Sequence, residues 1–72
     1  MKDNYQNTQS LLEQKGFRVI PHKDEDGNCL GLEIQTSPFF ADRNKIILEQ
    51  ILGRKEFTIS RIKHYLLVTK KN

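Results

Sequence analysis

Four side chains of metal-binding types lie close together in the sequence: His22, Asp24, Asp26 and Cys29. Together they could offer a ring nitrogen, two carboxylates and a thiolate to a divalent cation. Zinc sites normally use paired Cys or His residues at short spacing, whereas this segment has one of each. The acids are better explained by the Asp-Gly-Asn turn in which they lie. The sequence therefore predicts no metal site and no cofactor.

The two histidines are the usual candidates for a general base. His22 falls at the end of a predicted strand and His64 in a predicted turn, and neither has a nucleophile at a spacing that indicates a site. Cys29 follows the turn with no cation predictably beside it, so we interpret it as a small residue of the core or its rim. We therefore expect no enzymatic activity.

The cations are the remaining side chains that could form a functional surface. The net charge is +3, with four Lys/Arg against seven Asp/Glu through Asp42 and eight against two from Arg43 onward. A basic half of this kind favours acidic partners or nucleic acid. The candidate binding surface consists of Arg43, Lys45, Arg54, Lys55, Arg61 and Lys63, with Lys70 and Lys71 further along the chain.

The first half of the chain predicts a helix and two strands. Apolar positions recur at helical spacing between Asn4 and Lys15, and Gly16 stands where a left-handed cap belongs. An extended run follows over 17–23, and its Pro21 indicates an edge strand because proline cannot donate to a ladder. A polar turn over 24–28 then leads to an alternating strand that ends at Gln35.

The second half predicts a helix and one or two further strands. Helix two starts at Pro38, or later with Asp42 as the cap, and ends at Gly53. The runs 57–60 and 65–69 are rich in strand-forming residues, and the segment between them leaves a hairpin and one bent strand equally open. Phe39 is expected to be partly exposed. The predicted core consists of Leu32, Ile34, Phe40, Ile47, Ile51 and Phe57.

These elements predict one small α+β domain over residues 1–72. The order α-β-β-α-β(-β) suits two helices packed on one face of a small, mostly antiparallel sheet. The apolar runs are far too short to span a membrane. The opening residues 1–9 lack the apolar core of a secretory signal, so we expect a cytoplasmic chain, or a periplasmic one if it is a domain of an exported protein.

Two segments resemble known families. The sequence ILEQILGRKEFTISRIKHYLLVT, residues 47–69, resembles the closing helix-strand-turn-strand of the short secretin and TonB N-terminal domain, and residues 11–19 are similar to its first helix and next strand. This resemblance implies a periplasmic domain that works between protein partners. Residues 32–45, LEIQTSPFFADRNK, are similar to the sporulation-related repeat, a resemblance that implies peptidoglycan binding.

The small size of the domain favours a binding role. A domain of this length buries only about 60% of the surface of its unfolded chain, so association with a partner would complete its burial. We therefore expect a non-enzymatic adaptor or signalling module that binds another protein or a second copy of itself as a homo-oligomer. The alternative is a nucleic-acid-binding accessory protein that uses the basic C-terminal half, although few aromatic side chains there could stack on bases.

Overall fold

The computed structural model describes residues 5–71. The predicted start of helix one at Asn4 and the outermost ends of the predicted 1–72 domain lie outside these residues. The order α-β-β-α-β-β confirms the α+β prediction. The elements are α1 (Gln6–Gln14), β1 (Arg18–Lys23), β2 (Cys29–Gln35), a 3₁₀ turn (Pro38–Phe40), α2 (Ala41–Leu52), β3 (Phe57–Ile62) and β4 (Tyr65–Lys70).

The four strands form one sheet in the order β1-β2-β4-β3, and every neighbouring pair is antiparallel. The topology consists of two α-β-β units, each a helix followed by a hairpin. The second strands of the two units, β2 and β4, pair at the centre of the sheet, where Leu32 lies opposite Val68 and Ile34 opposite Leu66. The two units therefore share one continuous sheet.

The edges of the sheet follow the prediction from proline. Pro21 lies in β1, which is an edge strand, so its missing N–H costs no ladder hydrogen bond. The pairing of β1 with β2 shifts after His22, which lies opposite Gly31, while Lys23 lies opposite Cys29. Leu30 is the extra residue of the resulting bulge, and its side chain is exposed.

The first hairpin turn has the local chemistry that a tight reversal requires. Gly27 has a φ of +85°, a conformation that favours glycine. One carboxylate oxygen of Asp24 accepts hydrogen bonds from the backbone N–H groups of Asn28 and Asp26, each at 2.9 Å. These bonds lower the pKa of Asp24, and the bond from the backbone N–H of Asn28 has the largest effect. At the second turn, β3 and β4 form a hairpin around Lys63 and His64 rather than one bent strand.

Both helices cover the same face of the sheet. Leu12 of α1 and Leu48 of α2 are fully buried with the inward side chains of the central and outer strands. The hydroxyl of Tyr5 accepts a hydrogen bond of 2.7 Å from the backbone N–H of Lys70, which ties the start of α1 to the end of β4. The buried cluster consists of Tyr5, Leu12, Leu32, Ile34, Leu48, Phe57, Ile59, Leu66 and Val68.

The buried face of α2 differs from the prediction. Ala41 and Leu48 are buried, and Ile51 packs against the buried cluster. Ile47 is only half-buried, and Phe40 is 53% exposed, so the prediction that Phe40 belongs to the core is wrong. The reason is that α2 begins at Ala41 after a separate 3₁₀ turn, so Ala41 and Leu48, two helical turns apart, define its sheet-facing side.

This assignment predicts different effects for two neighbouring truncations. Leu48→Ala should lower the free energy of unfolding by about 2 to 5 kcal/mol, because it opens a cavity in a fully buried site. Ile47→Ala should cost about 1 kcal/mol or less, because part of its side chain is already in water. Urea denaturation followed by circular dichroism measures both. An Ile47→Ala loss as large as that of Leu48→Ala would place Ile47 in the core.

Candidate functional site

A groove of about 550 Å³ lies at one end of the sheet, between the end of α1 and the side of α2. Arg18 is the cross-strand partner of Gln35, so the start of β1 and the end of β2 meet there. Gly16 has a φ of +94°, which lets the chain leave α1 and enter β1 within a few residues. As a result, Lys15 and Arg18 both line the groove.

The walls of the groove are partly apolar. Phe17 and Ile51 pack against the buried cluster with one side and line the groove with the other. Phe40 and Ile47, which like Ile51 were expected in the core, line it as well. The groove is therefore where apolar side chains that the core does not enclose meet water.

A hydrogen bond fixes α2 to the chain that follows β2. The side-chain amide of Asn44 donates to the hydroxyl of Thr36 over 2.6 Å, and both residues are partly buried and line the groove. The hydroxyl of Thr36 in turn donates to the carbonyl of Ser37 over 3.3 Å. These hydrogen bonds fix the position of α2 relative to the segment that follows β2, so the groove is a preformed feature of the fold.

The charged residues of the groove lining are all cations. Lys15, Arg18 and Arg43 line it, and no carboxylate does. Within residues 5–71 none of these three has an ion-pair partner, whereas Arg54 lies 3.3 Å from Glu49 and Arg61 lies 2.7 Å from Asp42. The groove thus holds uncompensated positive charge next to apolar walls.

Two strongly exposed apolar side chains, one on the 3₁₀ turn and one on α2, extend this surface. Phe39 is 93% exposed and Ile46 is 55% exposed. Ile46 follows Arg43 by three residues and Ile47 follows it by four, so both isoleucines are neighbours of Arg43 on the helix surface. The groove and these neighbours form one amphipathic surface, which we call the α2 surface: the groove lining together with Phe39 and Ile46.

The uncovered face of the sheet carries a second polar cluster. His22 Nε2 lies 2.8 Å from Glu33 Oε1, and the ring of His22 lies 6.1 Å from that of Tyr65 between centroids. A carboxylate only accepts hydrogen bonds, so Nε2 of His22 carries the proton. This bond, with a second one from the amide of Gln35, lowers the pKa of Glu33. His22, at the end of its strand, therefore has a carboxylate partner rather than a nucleophile.

The residues weighed as metal ligands are not gathered into a site. Across residues 5–71 no group of three or more His, Cys, Asp or Glu side chains is placed to hold a metal ion. His22 is bonded to Glu33, Asp24 closes the turn, and the thiol of Cys29 donates to the carbonyl of Gly31 over 3.4 Å. Cys29 also packs against the buried cluster, in line with its predicted place at the rim of the core.

The predicted basic surface is divided between different parts of the fold. Arg43 lines the groove, while Arg54 and Arg61 have carboxylate partners. Lys55 precedes β3 and Lys63 follows it, so the length of a six-residue strand, roughly 20 Å, separates them. The ammonium group of Lys71 donates to the carbonyl of Arg54. Lys71, Arg54 and Lys55 therefore lie near one another at the end of the sheet opposite the groove. Lys45 lies on α2 and does not line the groove.

Lys15 and Arg18 are the site residues that sequence reasoning missed. Both belong to the acidic half of the chain, and each stands alone among polar or apolar neighbours. They join Arg43 only because the sheet register and the α2 connection bring distant segments to one end. No local pattern of charge could have found this cluster.

Comparisons with protein-family models, curated proteins and solved structures found no match to this chain. The resemblances to the short secretin and TonB N-terminal domain and to the sporulation-related repeat therefore remain predictions. Across residues 5–71 no helix has the length and the apolar character that crossing a membrane requires.

The His22–Glu33 bond predicts part of the acid sensitivity of the fold. A carboxylate whose pKa is lowered in the folded state adds stability above its ordinary value of 4.5 and loses it as the pH falls through the lowered pKa. Wild type should therefore exceed Glu33→Gln in unfolding free energy near neutral pH, and this difference should shrink toward about pH 3. Urea denaturation across this range measures it, with Glu56→Gln as the control for losing one negative charge. A difference that is constant with pH would contradict the assignment.

Proposed function

We propose that this domain is a non-enzymatic protein-binding module that docks its partner on the α2 surface. The observation that carries the proposal is the exposure of large apolar side chains beside a preformed groove, namely Phe39 at 93%, Ile46 at 55% and Phe40 at 53%. Single exposed apolar residues are ordinary, but a cluster on the 3₁₀ turn and the adjoining helix next to a concavity is typical of an interaction site.

Energetics support docking at this place. A domain of this size is marginally stable, and the exposed parts of these apolar side chains do not contribute to its stability while they face water. Burying one Phe side chain in an interface would gain about 1.5 to 3 kcal/mol. Arg43 lies among them, and aromatic residues with arginine are enriched in the cores of protein interfaces.

The polar groups of the groove support binding rather than catalysis. Its side chains include the amides of Gln35 and Asn44 and the hydroxyls of Thr36 and Ser37. The bond between Asn44 and Thr36 is structural, and the lining has no imidazole, thiol or carboxylate that could act as a base for a hydroxyl. The His22–Glu33 pair lies on the uncovered sheet face, away from the groove lining.

Site-specific photocrosslinking tests the proposal. p-Benzoylphenylalanine replaces Phe39, and in a matched control it replaces Leu30, which is 59% exposed at the opposite end of the sheet. Irradiation of cells that make the chain should give an adduct from position 39 that proteinase removes and nuclease does not. Position 30 should give a much weaker adduct or none, because it lies outside the α2 surface.

Two results would contradict this assignment. Equal adducts from positions 39 and 30 would show that the α2 surface has no preferred partner. A nuclease-sensitive adduct, stronger from position 55 than from 39, would favour nucleic acid bound by the cations near Arg54, Lys55 and Lys71. About four phosphate contacts would then weaken oligonucleotide binding roughly a hundredfold between about 50 and 200 mM salt, as anisotropy would show.

A further inference from the structure

We propose that the partner segment entering the groove is an acidic amphipathic peptide of another protein, in which Asp or Glu side chains flank apolar anchors. This inference rests on the proposed function and adds the chemistry of the partner. It is carried by two properties of one site: cations without counter-charges and apolar walls that the core leaves open.

The charge of the groove calls for an anionic ligand. Lys15 and Arg18 reach it from one segment of the chain and Arg43 from another, and its lining has no carboxylate. Elsewhere in residues 5–71 the fold pairs arginines with its own acids, as it does for Arg61 and Asp42. An arriving carboxylate would meet these cations beside apolar walls, where charges interact more strongly than in bulk water. The two guanidinium groups could each bind a carboxylate through two parallel hydrogen bonds.

The apolar walls indicate which class of anion would fit the groove. Phe17, Phe40, Ile47 and Ile51 present hydrocarbon to the same space as the cations. An inorganic anion would leave these groups in water, and a volume of about 550 Å³ is much larger than such an ion needs. A segment with Leu or Phe between acidic residues would satisfy the cations and cover the walls together. The side chains of Gln35 and Ser37 at the rim could hydrogen-bond to its backbone.

A second copy of this chain is the main competing occupant. Its turn over 24–28 carries three exposed acidic residues, and Leu30 is exposed nearby. That turn lies at the end of the sheet opposite the groove, so copies joined in this way would form an open head-to-tail chain. Concentration-dependent sedimentation that Arg18→Glu abolishes would overturn the assignment to a different protein, whereas a monomer at all concentrations supports it.

Fluorescence anisotropy with three labelled peptides tests the chemistry directly. The first has Glu and Asp around Leu and Phe at helical spacing, the second has Lys in place of the acids, and the third keeps the acids but has Ser in place of Leu and Phe. The first should bind more tightly than the other two by about tenfold or more, because only it matches both the cations and the apolar walls of the groove. Equal binding of the first and second peptides, or no binding of the first, would overturn the inference.

Charge reversal in the protein provides the matched control. Arg18→Glu combined with Arg43→Glu should weaken the acidic peptide by about tenfold or more and should make the basic peptide the preferred ligand. Lys55→Glu combined with Lys63→Glu changes the net charge equally outside the groove and should leave the preference unchanged. Urea denaturation of each variant shows that it remains folded.

The crosslinking assay separates this inference from the proposed function. If the adduct from position 39 persists at full yield in the Arg18→Glu, Arg43→Glu protein, the partner is a protein but is not held by acidic groups. In that case the inference fails and the proposed function stands. If position 39 gives no protein adduct in either background, both fail.

Discussion

The structure depends on the antiparallel pairing of β2 with β4. Each α-β-β unit has one helix and one hairpin, and a lone hairpin is at best marginally stable in water. The central pair places Leu32, Ile34, Leu66 and Val68 side by side with no exposed surface. These four side chains are the floor on which both helices pack, so the helix positions, the two free edges and the groove all follow from this pairing.

The same pairing of β2 with β4 leaves part of the apolar surface of α2 uncovered. Two short helices cover one face of four strands, and α2 carries more apolar residues than the face it turns to the sheet can hold. Leu48 and Ala41 occupy that face, so Phe40 and Ile47 turn toward the space between α2 and the end of α1. The bond from Asn44 to Thr36 fixes this arrangement. In a small domain such an exposed apolar surface adds little to the free energy of unfolding unless a partner covers it.

Local chemistry made most of the fold predictable. Gly16 and Gly27 have the positive φ values that their turn positions require, and Pro21 marks an edge strand. The strands can be recognised from the sequence because apolar residues of the buried face alternate with polar residues of the exposed face. These signals act over a few residues, so they can be read without knowing the partners of a segment.

The site was much less predictable, because it depends on register and helix rotation. Ile46, Ile47 and Leu48 are consecutive apolar residues of α2, so periodicity alone could not decide between Ile47 and Leu48 as the residue that faces the sheet. Lys15 and Arg18 meet Arg43 only through the pairing of distant segments. The partnership of His22 with Glu33 likewise follows from the register of β1 with β2. The charge excess of the C-terminal half was visible, but its division among the groove, the rest of α2 and the two ends of β3 was not.

The central structural claim is that Phe40 forms a wall of the groove rather than part of the core. Urea denaturation of Phe40→Ala tests this claim most directly, because it measures how much of the folding free energy this side chain supplies. Phe40 is 53% exposed, so we predict a loss of about 1 kcal/mol or less with an unchanged dependence on urea. A loss of about 3 to 5 kcal/mol, as for a phenylalanine enclosed by a core, would contradict the account.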